Sequence, residues 1–189
     1  IRDVTPDAIF VFASASFEED LPSIAEAVWH HAGSMIMIGC SSSGVIGRGA
    51  EMEEEPAISL LSLALPGAIL RPVRFTQGML EEVGDASLAE RIGVDPALVN
   101  GWVVLADPFR MDGALLVDRL NASYPGLPVI GGLLAPGPGQ RQTWVMLNGR
   151  IYNDGGVGLS IGGDYDVLPI VSQGCEPIGE TWTITAVDE

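Results

Sequence analysis

Two stretches of this chain carry the same signals in the same order. Such a sequence is constrained to build one supersecondary unit twice. The first stretch runs from the apolar Ala8-Ile-Phe-Val-Phe-Ala-Ser14 through Phe17 and a helix-like stripe to Met35-Ile-Met-Ile-Gly39. The second runs from Trp102-Val-Val-Leu-Ala106 through Phe109 and another stripe to Leu127-Pro-Val-Ile-Gly131. Phe17 and Phe109, Ile38 and Ile130, and Gly39 and Gly131 are each 92 positions apart. A further pair follows at a slightly wider interval: Arg71-Pro-Val73 leading to Thr76-Gln-Gly78, and Leu168-Pro-Ile170 leading to Ser172-Gln-Gly174. The expectation is one domain over residues 1–189, with halves of about 1–91 and 92–185. Each half reads as strand, helix, strand, long Gly-rich turn and further strands.

Local patterns support these elements. Ile9 to Ala13 is a short, fully apolar run rich in aromatic and β-branched residues, as in a buried strand. Leu21, Ile24, Ala25 and Val28 recur at helical spacing, with Asp20 placed to cap the start and Gly33 to end it. Leu115, Leu116 and Leu120 mark the equivalent helix, which Pro125 forbids from continuing. Pro56 and Pro66 bracket a strand from Ala57 to Leu65, and Thr143 to Leu147 reads as another. Asn148-Gly149 then predicts a hairpin into Ile151 and Tyr152. Val157 to Ile161 alternates apolar with small residues. One helix per half is too few to cover every crossover of a doubly wound sheet, so the fold class expected is mixed α/β (α+β) around mixed β-sheet.

Composition removes several function classes. Nine basic residues against 25 acidic ones leave a net charge of −16, the wrong sign for a surface that neutralises phosphates. Nucleic acid is therefore not an expected partner. All nine cations are arginines, so a Schiff-base lysine, a Walker lysine and a lysine general base are excluded outright. At 47% hydrophobic and 18% charged residues the chain is too apolar to be disordered. Cys40 and Cys175 lie too far apart in sequence to suggest a zinc pattern or a disulfide framework, so a reduced, cytoplasmic setting is expected. The longest apolar stretch, Ala57 to Leu70, is interrupted by Ser59, Ser62 and Pro66 and falls short of the ~20 residues of a membrane span. A chain that starts at Ile1 is compatible with a removed leader or a longer parent.

The densest polar constellation is Gly39-Cys40-Ser41-Ser42-Ser43-Gly44, directly after a predicted buried strand, where open α/β sheets place ligands. Its amides and hydroxyls suit an anion nest, and equally suit a solvated loop of small residues. Arg48 would pair with a ligand carboxylate and Glu51 with a ligand amine, which together fit an amino-acid-like zwitterion. The acidic run that Glu51 begins otherwise reads as a solvated face. Cys40 as a nucleophile would need a base, yet His30 and His31 fall at the end of the preceding helix, and no G-x-S-x-G elbow is present. A cysteine at a strand end is more often small core filling. Asp107 and Phe109 follow the second unit's first strand; Asp107 would cap the next turn or face a pocket. Gly131-Gly132 with Pro136 to Gly139 is the counterpart of the Cys40 loop without its hydroxyls, and a purely conformational role is expected of it. No catalytic set, metal ligand group or cofactor motif is expected.

Together these segments resemble the amino-terminal domain of the FIST family, sensory modules of bacterial and archaeal signalling proteins and of a eukaryotic F-box protein. The resemblance is carried by Ile9 to Ser14 with Phe17, Ile38 to Val45, Glu51, Pro56 to Gly67, Leu105 to Phe109, Pro125-Gly126, Pro128 to Gly132, Leu147 to Arg150, Ser172 to Cys175 and Pro177 to Gly179. Leu133-Leu134 and Glu176 depart from the family pattern. The resemblance implies a sensor of small ligands such as amino acids or small carboxylates, and a partner that is a carboxy-terminal FIST domain in cis or another signalling domain. The expected site comprises Cys40, Ser41, Ser42, Ser43, Gly44, Arg48, Glu51, Asp107 and Phe109, with ligand binding ordering a Gly-rich loop. A Cys40-dependent hydrolase or transferase and a protein-interaction scaffold are the competing expectations.

Overall fold

The computed structural model describes residues 5–53, 55–83 and 87–172, with positions 174, 179 and 183. The matches expected at Gln173, Cys175 and Pro177 to Ile178 lie outside the described residues. In chain order the elements are β1 (Ala8–Ser14), α1 (Leu21–Ala32), β2 (Met37–Ser42), β3 (Gly44–Gly47), β4 (Ala50–Glu53), β5 (Ile58–Leu63) and β6 (Ala68–Phe75). They continue with α2 (Gln77–Glu82), α3 (Leu88–Ile92), β7 (Gly101–Ala106), α4 (Gly113–Ser123), β8 (Val129–Leu133), β9 (Val145–Leu147), β10 (Arg150–Tyr152) and β11 (Gly156–Gly163). The class is mixed α/β, as the sequence predicts.

The strands form a five-stranded sheet ordered β10-β9-β2-β1-β5, a four-stranded sheet ordered β6-β11-β7-β8 and the separate hairpin β3-β4. Alternation along each strand decides how these stack. Phe10, Ile38, Cys40 and Val145 of the first sheet meet Leu70, Val157 and Leu159 of the second in one shared core. The intervening Ile9, Val11, Met37 and Met146 turn the other way and bury Leu21 and Ala25 of α1. On the second sheet Phe75, Trp102 and Val104 pack outward against Leu80 of α2, Leu88 of α3 and Leu116 of α4. The molecule is thus layered helix, sheet, sheet, helix. Trp102 centres the outer core, 6.0 Å from the Phe75 ring and 5.2 Å from that of Tyr124. The Tyr124 hydroxyl donates to Val94 O at 2.8 Å, so burying the phenol leaves its proton satisfied.

Both β-α-β units lay their second strand parallel beside the first, β1 with β2 and β7 with β8. The glycines that the repeat aligned have one physical reason. A Cβ on Gly39 would stand 2.2 Å from Val11 O, and one on Gly131 1.8 Å from Val104 O. At both places the second strand approaches the first too closely for a side chain. Beyond these units the halves differ: β2 receives β9 on its far side, whereas β8 is an edge.

Helix ends follow local chemistry with one exception. Gly33 ends α1 in the left-handed region at φ 66°. Thr76 caps α2 by accepting from Met79 N at 3.2 Å, and Asp112 caps α4 through Leu115 N at 3.0 Å. Asp20, expected to cap α1, makes no side-chain cap bond; its backbone is already helical at φ −94° and ψ −11°, which turns the carboxylate away from the orphan amides. The Asn148-Gly149 turn joins β9 to β10 with both residues at positive φ.

Candidate functional site

The parallel strands β1 and β2 end side by side, with Ser14 paired to Ser42. Past their carboxyl ends lies a cleft of about 340 Å³, lined by Ser14, Ala15, Ser16, Ser43, Glu55, Gly137, Pro138 and Gln140. Four segments converge here: the end of β1, the turn after β2, the entry to β5 and the Gly/Pro-rich loop between β8 and β9. This is where parallel strands present backbone and short side chains to a ligand.

Ser14 is the mechanical centre of the cleft. It is buried; its Oγ accepts from Ala57 N at 2.9 Å and lies 3.1 Å from both Glu55 O and Ala57 O, to either of which it can donate. One hydroxyl therefore fixes the chain entering β5 and sets where Glu55 stands. Gly137 lets the opposite loop close down, since a Cβ there would meet Ala15 Cβ at 3.1 Å and Gln140 Oε1 at 2.7 Å. Gln140 donates weakly to Glu18 at 3.5 Å and closes a turn through its N–H to Gly137 O at 3.0 Å. The Ser16 and Ser43 hydroxyls and the Glu55 carboxylate make no hydrogen bond or ion pair among the described residues.

The expected site residues are distributed rather than gathered. Ser43 is the one of them that lines this cleft. Cys40 points into the core between the sheets, where burial pushes its thiol up to about 12, away from the nucleophilic thiolate. His30 and His31 sit on α1, beyond the opposite face of the same sheet, so the sheet itself stands between thiol and imidazole. Ser41 is fully buried and ties β2 to the residue that leads into β9: its Oγ accepts from Trp144 N at 2.9 Å, and its own N–H donates to Trp144 O at 2.9 Å. The Ser42 hydroxyl donates to Gly44 O at 2.5 Å, tightening the turn into β3. Arg48 occupies the β3–β4 turn at φ 52°, beside a second cleft of about 240 Å³ with Val45, Ile58 and Leu60. Glu51 lies on exposed β4.

Asp107 sits in the other half, at the end of β7, almost fully buried. Its carboxylate accepts from Phe109 N at 2.7 Å, Arg110 N at 3.2 Å and Arg110 Nη1 at 3.4 Å. Arg110 in turn donates to Asn153 O at 2.9 Å, so Asp107 braces the turn after β7 against the β10–β11 connection. Phe109 is half exposed beside it. The Gly/Pro-rich loop, expected to be conformational only, shares the cleft with Ser43. Ser16, Glu55 and Gln140 escaped sequence reasoning. Ser16 was legible only as a strand end and Glu55 only as one of a run of acids, because what singles them out is convergence from distant segments.

Among the described residues no group of three or more His, Cys, Asp or Glu side chains could hold a metal ion. No described helix is long and apolar enough to cross a membrane. The FIST N domain model matches residues 7–189. The chain belongs to the FIST N domain family. FIST N is a sensory, signal-transduction domain. Relatives include an uncharacterized protein of Mycobacterium tuberculosis, 28% identical over 184 residues, covering 97% of this chain and 46% of that protein. Another, from Mycobacterium bovis, is 25% identical over 183 residues and covers 97% of this chain and 46% of that protein. This FIST N chain therefore spans less than half the length of the curated relatives it matches.

Proposed function

We propose that this FIST N domain is the ligand-binding module of a signal-transduction protein and that its ligand is a small amine-bearing molecule, an amino acid being the class that fits best. The reading rests on one observation: two hydroxyls and one carboxylate without partners among the described residues, Ser16, Ser43 and Glu55, face a cleft of about 340 Å³ at the ends of β1 and β2. A carboxylate with hydroxyl neighbours is a receptor for an ammonium group, and a charge-assisted hydrogen bond to it is worth roughly twice a neutral one. Arginines do not line the cleft, so a lone carboxylate has less to hold it than an amine has. Occupancy would pull the β5 entry and the Gly137–Gln140 loop together, selecting a closed form of the cleft.

Titration calorimetry with amino acids, small amines and small carboxylates tests this. Binding by amines and amino acids, weakened at least about tenfold by Glu55→Gln, is expected; tenfold corresponds to about 1.4 kcal/mol. Binding confined to carboxylates, or unchanged in both Glu55→Gln and Ser43→Ala, would refute it. The Cys40-nucleophile reading is left with a thiol that burial holds protonated and with both histidines of the chain beyond the opposite face of the sheet.

A further inference from the structure

The first sheet ends at β5, and that edge is apolar on both faces. Leu60 pairs with Val11 on the α1 side and Leu61 with Phe10 on the side of the second sheet, yet they remain 54% and 51% exposed. A cleft of about 650 Å³ runs beside this edge, lined by Ile9, Val28 and Leu60. Natural sheets rarely leave such an edge bare, because its unpaired amides and carbonyls accept another strand. The second sheet shows what covers the equivalent place. There β11 lies antiparallel to β7 as β5 does to β1, and the far side of β11 is occupied by β6.

β6 carries Arg71-Pro72-Val73, followed by Thr76-Gln-Gly78, which is the segment matched by Leu168-Pro169-Ile170 and Ser172-Gln-Gly174. The second copy has no strand pairing and exposes its apolar side chains: Leu168 is 83%, Ile170 91% and Val171 85% exposed. Its approach is already anchored where β5 leaves the sheet. Tyr165 Oη donates to Pro66 O at 3.3 Å, and Asn100 Nδ2 donates to Tyr165 O at 2.7 Å. Proline is tolerated in an edge strand, as Pro72 is in β6, and Pro169 meets the same condition on β5. Five extended residues span about 17 Å, enough to run along Leu63 to Leu60 and stop at Ser59, whose hydroxyl donates to Ile46 O of β3 at 2.9 Å.

We propose that Leu168 to Ser172 docks antiparallel along the free edge of β5 as a sixth strand of the first sheet, covering Leu60 and Leu61 with Leu168, Ile170 and Val171. The inference is independent of what the cleft beside Ser43 binds.

Hydrogen exchange read by mass spectrometry on the full chain tests it. The amides of Ile170 and Ser172, which face β5 when the nitrogen of Pro169 faces solvent, should exchange at least about tenfold more slowly than an unstructured peptide, at a rate independent of protein concentration. Leu61→Asp should return them to the unstructured rate. Should that variant fail to fold, Ile170→Pro, which removes an amide facing β5, reads the same contact from the other strand, by speeding exchange within Leu60 to Leu63. Unstructured exchange at Ile170 and Ser172 in the parent chain would overturn the proposal, as would protection that survives Leu61→Asp or is untouched at β5 by Ile170→Pro. Protection that grows with concentration would assign the strand to a second copy and overturn docking within one chain.

Discussion

Alkali should loosen this fold through Cys40. The thiol is buried between the two sheets, and its pKa rises from 9.0 to about 12 because the apolar core cannot solvate a thiolate. The unfolded chain ionises the same group at its ordinary value, so the contribution is intact below pH 9 and is lost as pH rises toward 12. The gap between the two values caps the loss at about 4 kcal/mol, of which about 2 kcal/mol is gone by about pH 10.5. Tyr124 pushes the same way, its pKa raised to about 12 by burial and then by the nearby Asp95 carboxylate. That effect is common to parent and variant and subtracts out. Urea unfolding at about pH 8 and about pH 10.5, in a Cys175→Ser chain with and without Cys40→Ala, isolates the thiol. Cys40→Ala should cost stability at about pH 8 by opening a small cavity, and should lose about 2 kcal/mol less than its parent on going to the higher pH. Parallel losses in the two chains would show that Cys40 is solvated, and would take away the burial that argues against it as a nucleophile.

Other residues give sharper local tests. Ser14→Ala removes the acceptor of Ala57 N and the donor to the Glu55 and Ala57 carbonyls, so it should lower stability by about 1–3 kcal/mol in chemical denaturation and abolish amine binding as Glu55 loses its position. Gly39→Ala should lower stability by more than about 3 kcal/mol, because its Cβ would stand 2.2 Å from Val11 O between two parallel strands; a melting temperature equal to the parent's would contradict that geometry. Asp107→Ala strands two turn amides and Arg110, at a cost of about 2–3 kcal/mol, yet should leave amine affinity unchanged in calorimetry. A fall in affinity would return Asp107 to the site.

The sequence by itself determined the elements: the apolar runs of β1 and β7, the stripe of α1, the Asn148-Gly149 hairpin and the stop at Gly33 all follow from interactions within a few residues. It also determined where to look, since a polar turn after a buried parallel strand is a local pattern. Only the tertiary structure decided which of those residues share a cavity. Alternation with period two sends Cys40 to one face of β2 and Ser41 to the other, and Ser43 lies past the strand's end, but that the Cys40 face is core depends on a second sheet whose strands lie far along the chain. Asp107, just past the end of β7, braces the turn that follows that strand. Ser16, Glu55 and Gln140 have no local signature, because a cleft made of four segments exists only once long-range packing has closed it.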